Sequence, residues 1–385
     1  MSGAHAQKKS SEHGARRRIA LILGVLAVVA GVGAAVVARS TGGRVSASPT
    51  TVAPAHPAPS DRPLGIVSVS PVDGATGVPS DATVTVQFSE PLAVHTPVPT
   101  LTPAVPGSWQ VLTPTTLAFV ASAPLVPSSN ETLTVPAGAG GVESAGGVAL
   151  DQGAAVHFSV APGTETRLQQ LLAQLGYLPV SFTPTGPVAA PQELAQPQEG
   201  SFAWRFSEPA SLVSLWTPGT SNVLTKAAVM TFENKHGMTT DGQAGPAVWT
   251  ALLADAAAGT VDGDAYNYVY VSKTLPERTT VYSNGAAVYS SPANTGVPGA
   301  DTAVGTFPVF EHLTVTTMSG TNVDGSKYVD PGIPWVSYFN GGDALHGYVR
   351  PGYGYPQSNG CVEMPPANAA VVFPYTPIGT LVTVA

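Results

Sequence analysis

The sequence is poor in cysteine and in charged side chains. It has one cysteine, Cys361, among 385 residues, and only 10% of its residues are Asp, Glu, Lys or Arg. A single cysteine excludes an internal disulfide, so the stability of the folded chain has to come from packed cores. The same lone thiol is either incidental, intermolecular or a reactive group.

Positive charge is scarce beyond the first 44 residues. Seven of the 16 Lys and Arg residues and one of the 24 Asp and Glu residues lie in positions 1–44, which leaves nine basic and 23 acidic residues, a net charge of −14, for positions 45–385. Such a chain lacks the broad basic surface needed to neutralise phosphate groups. Nucleic acid is therefore not an expected partner.

Two motifs of hydrolytic and acyl-transfer enzymes are missing. No lysine follows a serine by three positions, which excludes the Ser-x-x-Lys motif of serine acyl enzymes. No His-Glu-x-x-His or His-x-His spacing appears, so the sequence does not indicate a metallopeptidase.

One long apolar run lies near the N-terminus. Residues 19–38 are twenty consecutive apolar or small residues, about the number that a helix needs to cross a roughly 30 Å hydrocarbon core. Five Lys and Arg residues precede the run and two follow it. This asymmetry predicts a cytoplasmic basic tail at 1–18, a single transmembrane anchor at 19–38 and an extracytoplasmic remainder. A cleaved signal peptide, which would make the protein secreted, is the alternative.

The next two segments differ in composition. Residues 39–63 are rich in Pro, Ala, Ser and Thr and predict an extended linker. Residues 64–162 alternate polar and apolar side chains over short stretches, and residues 82–88 place three apolar side chains on one strand face. This pattern predicts an immunoglobulin-like β-sandwich. Residues 71–92 also resemble the opening of bacterial Ig-like domains.

Residues 163–258 show helical periodicity. The apolar positions of the first predicted helix follow the spacing i, i+3, i+4, i+7: Leu168, Leu171, Leu172 and Leu175. Two more helices are predicted at about 225–236 and 246–253, joined by a glycine-marked turn. These helices and their turn resemble a peptidoglycan-binding helical domain, which implies glycan as a partner. A Pro-rich insertion at 180–221 departs from that pattern and predicts either a hairpin or a wall-contacting loop.

The final segment, 264–385, is rich in β-prone residues, with an Asn-Gly hairpin turn at 284–285. It also contains the only cysteine, Cys361, fifteen residues after His346. An imidazole can take the proton of a thiol and hold the ion pair, which raises the population of the nucleophile. The Gly-, Pro- and Tyr-rich residues between them predict a loop that brings the two side chains together. The backbone N–H groups of Gly360 and Cys361 are then candidate oxyanion donors.

The histidine, its spacing, the Ser-x-Gly-Cys-Val run at 358–362 and the Thr-x-x-Gly-x-Phe run at 302–307 are similar to the signature of YkuD-type L,D-transpeptidases. The resemblance covers about 266–385. It implies that Cys361 is the nucleophile, that His346 is the general base and that the carbonyl of Gly347 orients the imidazole, with Ser358 shaping the loop. It also implies that no cofactor is needed and that carbapenems act as covalent inhibitors.

Three further residues are expected to contact substrate: Tyr348, Asn359 and Glu363. Two of them depart from the family pattern, which usually has His where Asn359 stands and Arg or Asn where Glu363 stands. Asparagine keeps a hydrogen bond but cannot become cationic. The Glu363 carboxylate would repel a substrate carboxylate unless it is paired.

The sequence as a whole predicts a multidomain, mainly β protein. Its expected parts are a transmembrane helix, an Ig-like β-sandwich, a small α-helical peptidoglycan-binding-like module and a C-terminal β-rich L,D-transpeptidase catalytic domain. The predicted function is a cell-wall L,D-transpeptidase, which forms peptidoglycan cross-links by cysteine acyl-enzyme chemistry on tetrapeptide stems with release of D-Ala. A catalytically impaired wall-binding protein and an L,D-carboxypeptidase-type hydrolase with the same site remain open alternatives.

Overall fold

The structure, a computed structural model, describes residues 62–385. The predicted basic tail, transmembrane anchor and nearly all of the linker lie outside these residues, so those three assignments remain predictions. Among the helices of residues 62–385, none combines the length and the apolar character needed to cross a membrane.

Two four-stranded sheets form the first part of the described chain. Their strands are β1 (Ile66–Ser70), β2 (Ala75–Val78), β3 (Val84–Phe88), β4 (Thr100–Thr102), β5 (Gly107–Thr113), β6 (Thr116–Ala121), β7 (Asn130–Val135) and β8 (Ala154–Val160). One sheet has the order β1-β3-β6-β5 and the other the order β2-β8-β7-β4. Val84, Val86 and Phe88 of β3 are all buried, which confirms the predicted apolar face of that strand. Their side chains share one core with Leu133 and Phe158 of the other sheet.

Four helices follow: α1 (Glu165–Gln174), α2 (Ala210–Val213), α3 (Val223–Lys235) and α4 (Pro246–Ala258). The three predicted helices correspond to α1, α3 and α4. The side-chain oxygens of Thr164 and Asn222 cap the N-termini of α1 and α3 by accepting backbone N–H groups. After α1 the chain turns at Gly176, whose φ is +88°. This positive φ is the left-handed conformation that favours glycine at a helix end.

The insertion at 180–221 contains a hairpin of two antiparallel strands, β9 (Val180–Pro184) and β10 (Gly200–Trp204). The predicted hairpin is therefore present, and contact of the insertion with the cell wall remains a prediction. Its aromatic side chains pack on one another, with ring centroids 5.1 Å apart between Phe182 and Phe202 and 5.3 Å apart between Phe202 and Trp216. These contacts join the insertion to the core of the helical region.

The C-terminal part contains two further sheets and one helix. Its elements are β11 (Asn267–Ser272), β12 (Arg278–Ser283), β13 (Ala286–Pro292), β14 (Gly305–Pro308), β15 (Glu311–Thr321), β16 (Lys327–Asn340), β17 (Asp343–Gly347), β18 (Val362–Met364), α5 (Pro366–Val372) and β19 (Leu381–Val384). The sheet orders are β13-β12-β11-β19-β14 and β15-β16-β17-β18. Apolar side chains from β11, β12 and β19 pack against those from β17 and β18 in one core. This packing fixes the positions of β17 and β18, which carry the candidate site.

The helical region and the C-terminal region share a continuous core. Tyr268 of β11 and Leu381 of β19 are fully buried among the side chains of α1, α3 and α4. The loop before β19 also touches α3, since a Cβ built on Gly379 would overlap the side chain of Thr231. The helices therefore support the sheet that carries the C-terminal core.

Candidate active site

The pairing of β17 with β18 brings the histidine and the cysteine together. The two strands are parallel, and His346 lies opposite Glu363 in their register. Cys361 directly precedes β18. The chain between the strands folds back as a loop, as the Gly-, Pro- and Tyr-rich segment predicts. His346 and Cys361 consequently line one small cavity of about 40 Å³.

The imidazole of His346 is buried and fixed by its own strand. The side chain is 2% exposed, and its Nδ1 atom lies 3.1 Å from the carbonyl oxygen of Gly347. When Nδ1–H donates to that carbonyl, Nε2 is the nitrogen that can accept a proton. Burial lowers the pKa of His346, because the charged ring loses water, so the imidazole is neutral at neutral pH.

The thiol of Cys361 is held by the turn between β16 and β17. Its Sγ atom lies 3.5 Å from the carbonyl oxygen of Gly342. Burial raises the pKa of the Cys361 thiol to about 12, and the nearby carboxylates of Asp343 and Glu363 act in the same direction. A hydrogen bond from the backbone of Ala344 opposes this rise. The thiol is therefore protonated in this state.

Burial acts against a resting ion pair between the two side chains. No hydrogen bond joins the imidazole to the thiol among residues 62–385, and burial disfavours the charged form of both groups. The ion pair suggested by the sequence remains a prediction, and burial, which a sequence pattern does not reveal, opposes it.

Ser358 organises the turn that presents the cysteine. Its hydroxyl donates to the carbonyl oxygen of Cys361 at 2.5 Å and accepts the N–H of Gly360 at 3.2 Å. The first contact suits the predicted loop-shaping role of Ser358. The second engages the Gly360 N–H, which is not available as an oxyanion donor in this arrangement. The Cys361 N–H remains the predicted donor.

The hairpin of β15 and β16 lies against the same turn. The side-chain amide of Asn359 donates to the Oδ1 atom of Asn322 at 2.7 Å, just beyond the end of β15. The hydroxyl of Tyr348 donates to Asp330 on β16 at 3.3 Å, and its ring meets that of His346 edge to face with centroids 6.1 Å apart. Two of the expected substrate contacts are thus engaged by the hairpin in this structure.

Glu363 is paired. Its carboxylate accepts two hydrogen bonds from the guanidinium of Arg350, from Nε to Oε2 and from Nη2 to Oε1, each 2.7 Å long. The charge that would repel a substrate carboxylate is therefore neutralised. Among residues 62–385, no cluster of three or more His, Cys, Asp and Glu side chains has a geometry that could hold a metal ion.

Two family models match separate parts of the chain. The model of the L,D-transpeptidase catalytic domain, YkuD, matches residues 266–384. Residues 266–384 are therefore similar to the YkuD catalytic domain. The model of the bacterial Ig-like domain, Big_5, matches residues 60–160, so this part of the chain is Ig-like as predicted. Neither match extends over the helical region, whose likeness to a peptidoglycan-binding domain remains a prediction.

Several solved structures of L,D-transpeptidases are similar to the chain. L,D-transpeptidase 3 of Mycobacterium tuberculosis, solved with a faropenem-derived adduct, is 14% identical, with 83% of this chain and 97% of that chain covered and a TM-score of 0.29. An L,D-transpeptidase of Mycobacterium smegmatis is also 14% identical, with 84% and 100% covered and a TM-score of 0.28. The catalytic domain of the E. faecium enzyme is 26% identical, with 31% and 96% covered and a TM-score of 0.29. Among curated proteins, none matches the chain.

Sequence reasoning missed two acidic residues that support the YkuD site. Asp343 accepts the N–H of Ala303 at 3.1 Å, within the Thr-x-x-Gly-x-Phe run. Glu277 is 1% exposed and holds the loop beside Ser358 by accepting both the N–H and the hydroxyl of Thr295, each at 2.7 Å. Neither carboxylate lies in a sequence motif, because its partners come from distant segments.

Arg350 of the YkuD domain was also missed, although the sequence held a signal. A glutamate at a position where the family usually has Arg or Asn needs a cationic partner if it is buried. Residues 264–385 contain only two arginines, Arg278 and Arg350, and Arg350 lies four positions after His346. Proximity to His346 would have favoured Arg350.

Proposed function

We propose that the YkuD domain is a cell-wall L,D-transpeptidase in which Cys361 carries the acyl group. The observation that carries the proposal is the shared cavity of His346 and Cys361 in a domain of this family. The orientation of the imidazole supports it, since the contact with Gly347 leaves Nε2 as the base.

The proposed reaction has two steps. His346 takes the proton of the Cys361 thiol, and the sulfur attacks the carbonyl carbon of the amide bond that precedes the terminal D-Ala of a tetrapeptide stem. The amide C–N bond then breaks, the proton passes from His346 to the leaving amine, and D-Ala departs from a thioester. The amine of a second stem attacks the thioester, gives its proton to His346 and forms the cross-link, while the thiol is restored.

The burial of the two catalytic groups has a consequence for this cycle. A cavity of about 40 Å³ holds only a few water molecules, so we expect the surrounding residues to move when a stem peptide binds. We expect the hairpin of β15 and β16 to move, because its contact through Asn322 is made by exposed side chains. Substrate then supplies the polar groups that stabilise the charges of proton transfer.

The other domains complete the proposal. With the transmembrane anchor at 19–38, the YkuD domain acts on the outer side of the cytoplasmic membrane, where peptidoglycan lies. The helical region is proposed to contact glycan. Carbapenems are proposed as covalent inhibitors, because the Cys361 sulfur can open a β-lactam ring by the same attack on a carbonyl carbon.

Intact-mass spectrometry of the full chain, purified in detergent and incubated with a carbapenem, tests the proposal. We expect one adduct on the parent protein and none on Cys361→Ala. A protein that is unmodified in both forms would contradict an active thiol and favour a wall-binding role. Product analysis with a stem tetrapeptide, with and without an acceptor amine, then separates cross-link formation from hydrolysis.

A further inference from the structure

Glu363 places a negative charge beside the reacting groups. The residue is 4% exposed and lies opposite His346 in the register of β17 and β18. A buried carboxylate is costly unless it is paired and hydrogen-bonded. A nearby cation therefore stabilises the Glu363 carboxylate.

Arg350 supplies that cation from the loop after β17. Besides its two bonds to Glu363, its Nη2 atom donates to the carbonyl oxygen of Gln357 at 3.2 Å. The guanidinium also lies over the ring of Tyr348, 4.6 Å from the centroid. These contacts fix the plane of the guanidinium by hydrogen bonds and by a cation–π interaction.

One edge of the guanidinium is not used by these contacts. The bonds to Glu363 and Gln357 engage Nε and Nη2, and no acceptor among residues 62–385 binds Nη1. Arg350 is 28% exposed at its side chain and lines the same cavity as Cys361. A charged donor group with two N–H bonds is thus held at the cavity that contains the nucleophile.

We propose that Arg350 is a specificity-determining residue that binds the terminal carboxylate of the donor peptide through Nη1 while Glu363 holds the opposite edge of the guanidinium. The inference rests on the proposed function. In a peptide that ends in D-Ala, only the amide nitrogen and one Cα separate the attacked carbonyl carbon from the carboxylate, so a carboxylate partner has to lie near the cysteine. A guanidinium is the side chain best suited to that partner.

The remaining charge of the cavity restricts where the carboxylate can lie. Asp330 also lines the cavity and accepts the hydroxyl of Tyr348. A substrate carboxylate is repelled from that side and attracted to Arg350. The Asp330 carboxylate at the Tyr348 hydroxyl and the Arg350 guanidinium over the Tyr348 ring therefore favour one orientation of the peptide terminus.

The test compares a stem tetrapeptide that ends in D-Ala with the same peptide ending in D-alaninamide, in both lysine and diaminopimelate forms. Binding is measured by calorimetry in the Cys361→Ala background, and D-Ala or D-alaninamide release is measured in the parent background. We expect the acid to bind and react about tenfold to a hundredfold better than the amide, which corresponds to one charge-assisted hydrogen-bonded contact.

Two variants assign this preference to Arg350. The R350Q/E363Q pair removes both charges and leaves no unpaired buried carboxylate, and we expect it to lose the preference for the acid. E363Q keeps the guanidinium and is expected to keep the preference or increase it. Thermal melts show that each variant is folded.

Two results would overturn the inference: a folded R350Q/E363Q protein with the parent ratio of acid to amide binding, or an E363Q protein that loses the preference. A parent protein that binds the acid selectively but releases no D-Ala would contradict the proposed function while supporting the role of Arg350. The binding measurement therefore tests the role of Arg350, and the turnover measurement tests the proposed function separately.

Discussion

The Cα atom of Gly360 faces the carboxylate of Asp343. A Cβ built on Gly360 would lie 2.6 Å from Oδ1 of Asp343, and the φ of Gly360 is +114°. Space and backbone conformation therefore both favour glycine at position 360, directly before Cys361. Because Asp343 also accepts the Ala303 N–H, this contact couples the cysteine turn to the 302–307 segment.

Gly360→Ala is expected to disturb this turn. The added methyl meets Asp343 and the positive φ is strained for alanine, which we expect to lower the free energy of unfolding by about 1–3 kcal/mol. Urea denaturation and the rate of carbapenem acylation measure the effect. Gly263→Ala is the matched control, because a Cβ at Gly263 meets no atom within 4 Å. Equal stability of the two variants would contradict the close contact.

The thiol of Cys361 is expected to react slowly in the free protein at neutral pH. Thiolate is the reactive form, and a pKa of about 12 leaves little of it below pH 9. Alkylation by iodoacetamide, followed by mass spectrometry, should therefore keep rising with pH above 9. A plateau below pH 9 would show an activated resting thiolate instead.

Asp343→Asn is expected to speed that alkylation. The Asp343 carboxylate raises the pKa of the Cys361 thiol, so its removal lowers the pKa and increases the thiolate fraction at any pH below it. The amide preserves the size of the side chain. We expect a several-fold higher alkylation rate at pH 9, and an unchanged or lower rate would exclude an electrostatic effect of Asp343 on the thiol.

The loss of catalytic activity at acid pH is expected to occur below pH 6.5. His346 acts as a base only in its neutral form, and burial lowers its pKa from the ordinary value of 6.5. Activity should therefore persist as the pH falls to 6.5 and decline only below that value. The pH profile of D-Ala release at low substrate measures this loss. A decline already complete at pH 7 would contradict the buried neutral imidazole.

Glu233 of α3 makes the stability of the helical region depend on pH. It is 1% exposed, its carboxylate accepts the N–H of Gly242, and burial raises its pKa from 4.5 to about 7. The stabilisation from the protonated form is present below pH 4.5 and is lost as the pH rises towards 7. We expect Glu233→Gln to be more stable than the parent at pH 8, by up to about 3 kcal/mol.

The comparison at pH 4.5 provides the control for that prediction, since parent and variant are then both neutral at this position. Urea denaturation at the two pH values gives the difference in the free energy of unfolding. An advantage of Glu233→Gln that is the same at both values would point to packing in place of titration.

Local patterns predicted much of the fold. Alternation placed Val84, Val86 and Phe88 on one buried face, and the i, i+3, i+4, i+7 spacing located α1, because each signal depends on residues that are neighbours along the chain. For the insertion at 180–221 the sequence allows two alternatives. Its hairpin is stabilised by aromatic packing on Trp216 and the helical core, which no local pattern contains.

By itself, the sequence predicted which two side chains would carry the chemistry, since a lone cysteine fifteen residues after His346 in a motif restricts the choice to one pair. Only the tertiary structure decided how far each group is buried and which charged side chains lie beside it. Burial disfavours the charged form of both groups, and folding brings Arg350 to Glu363 and Asp343 to Gly360. The physical reason is that pKa values and ion pairs depend on desolvation and distance in space, whereas a motif records only order along the chain.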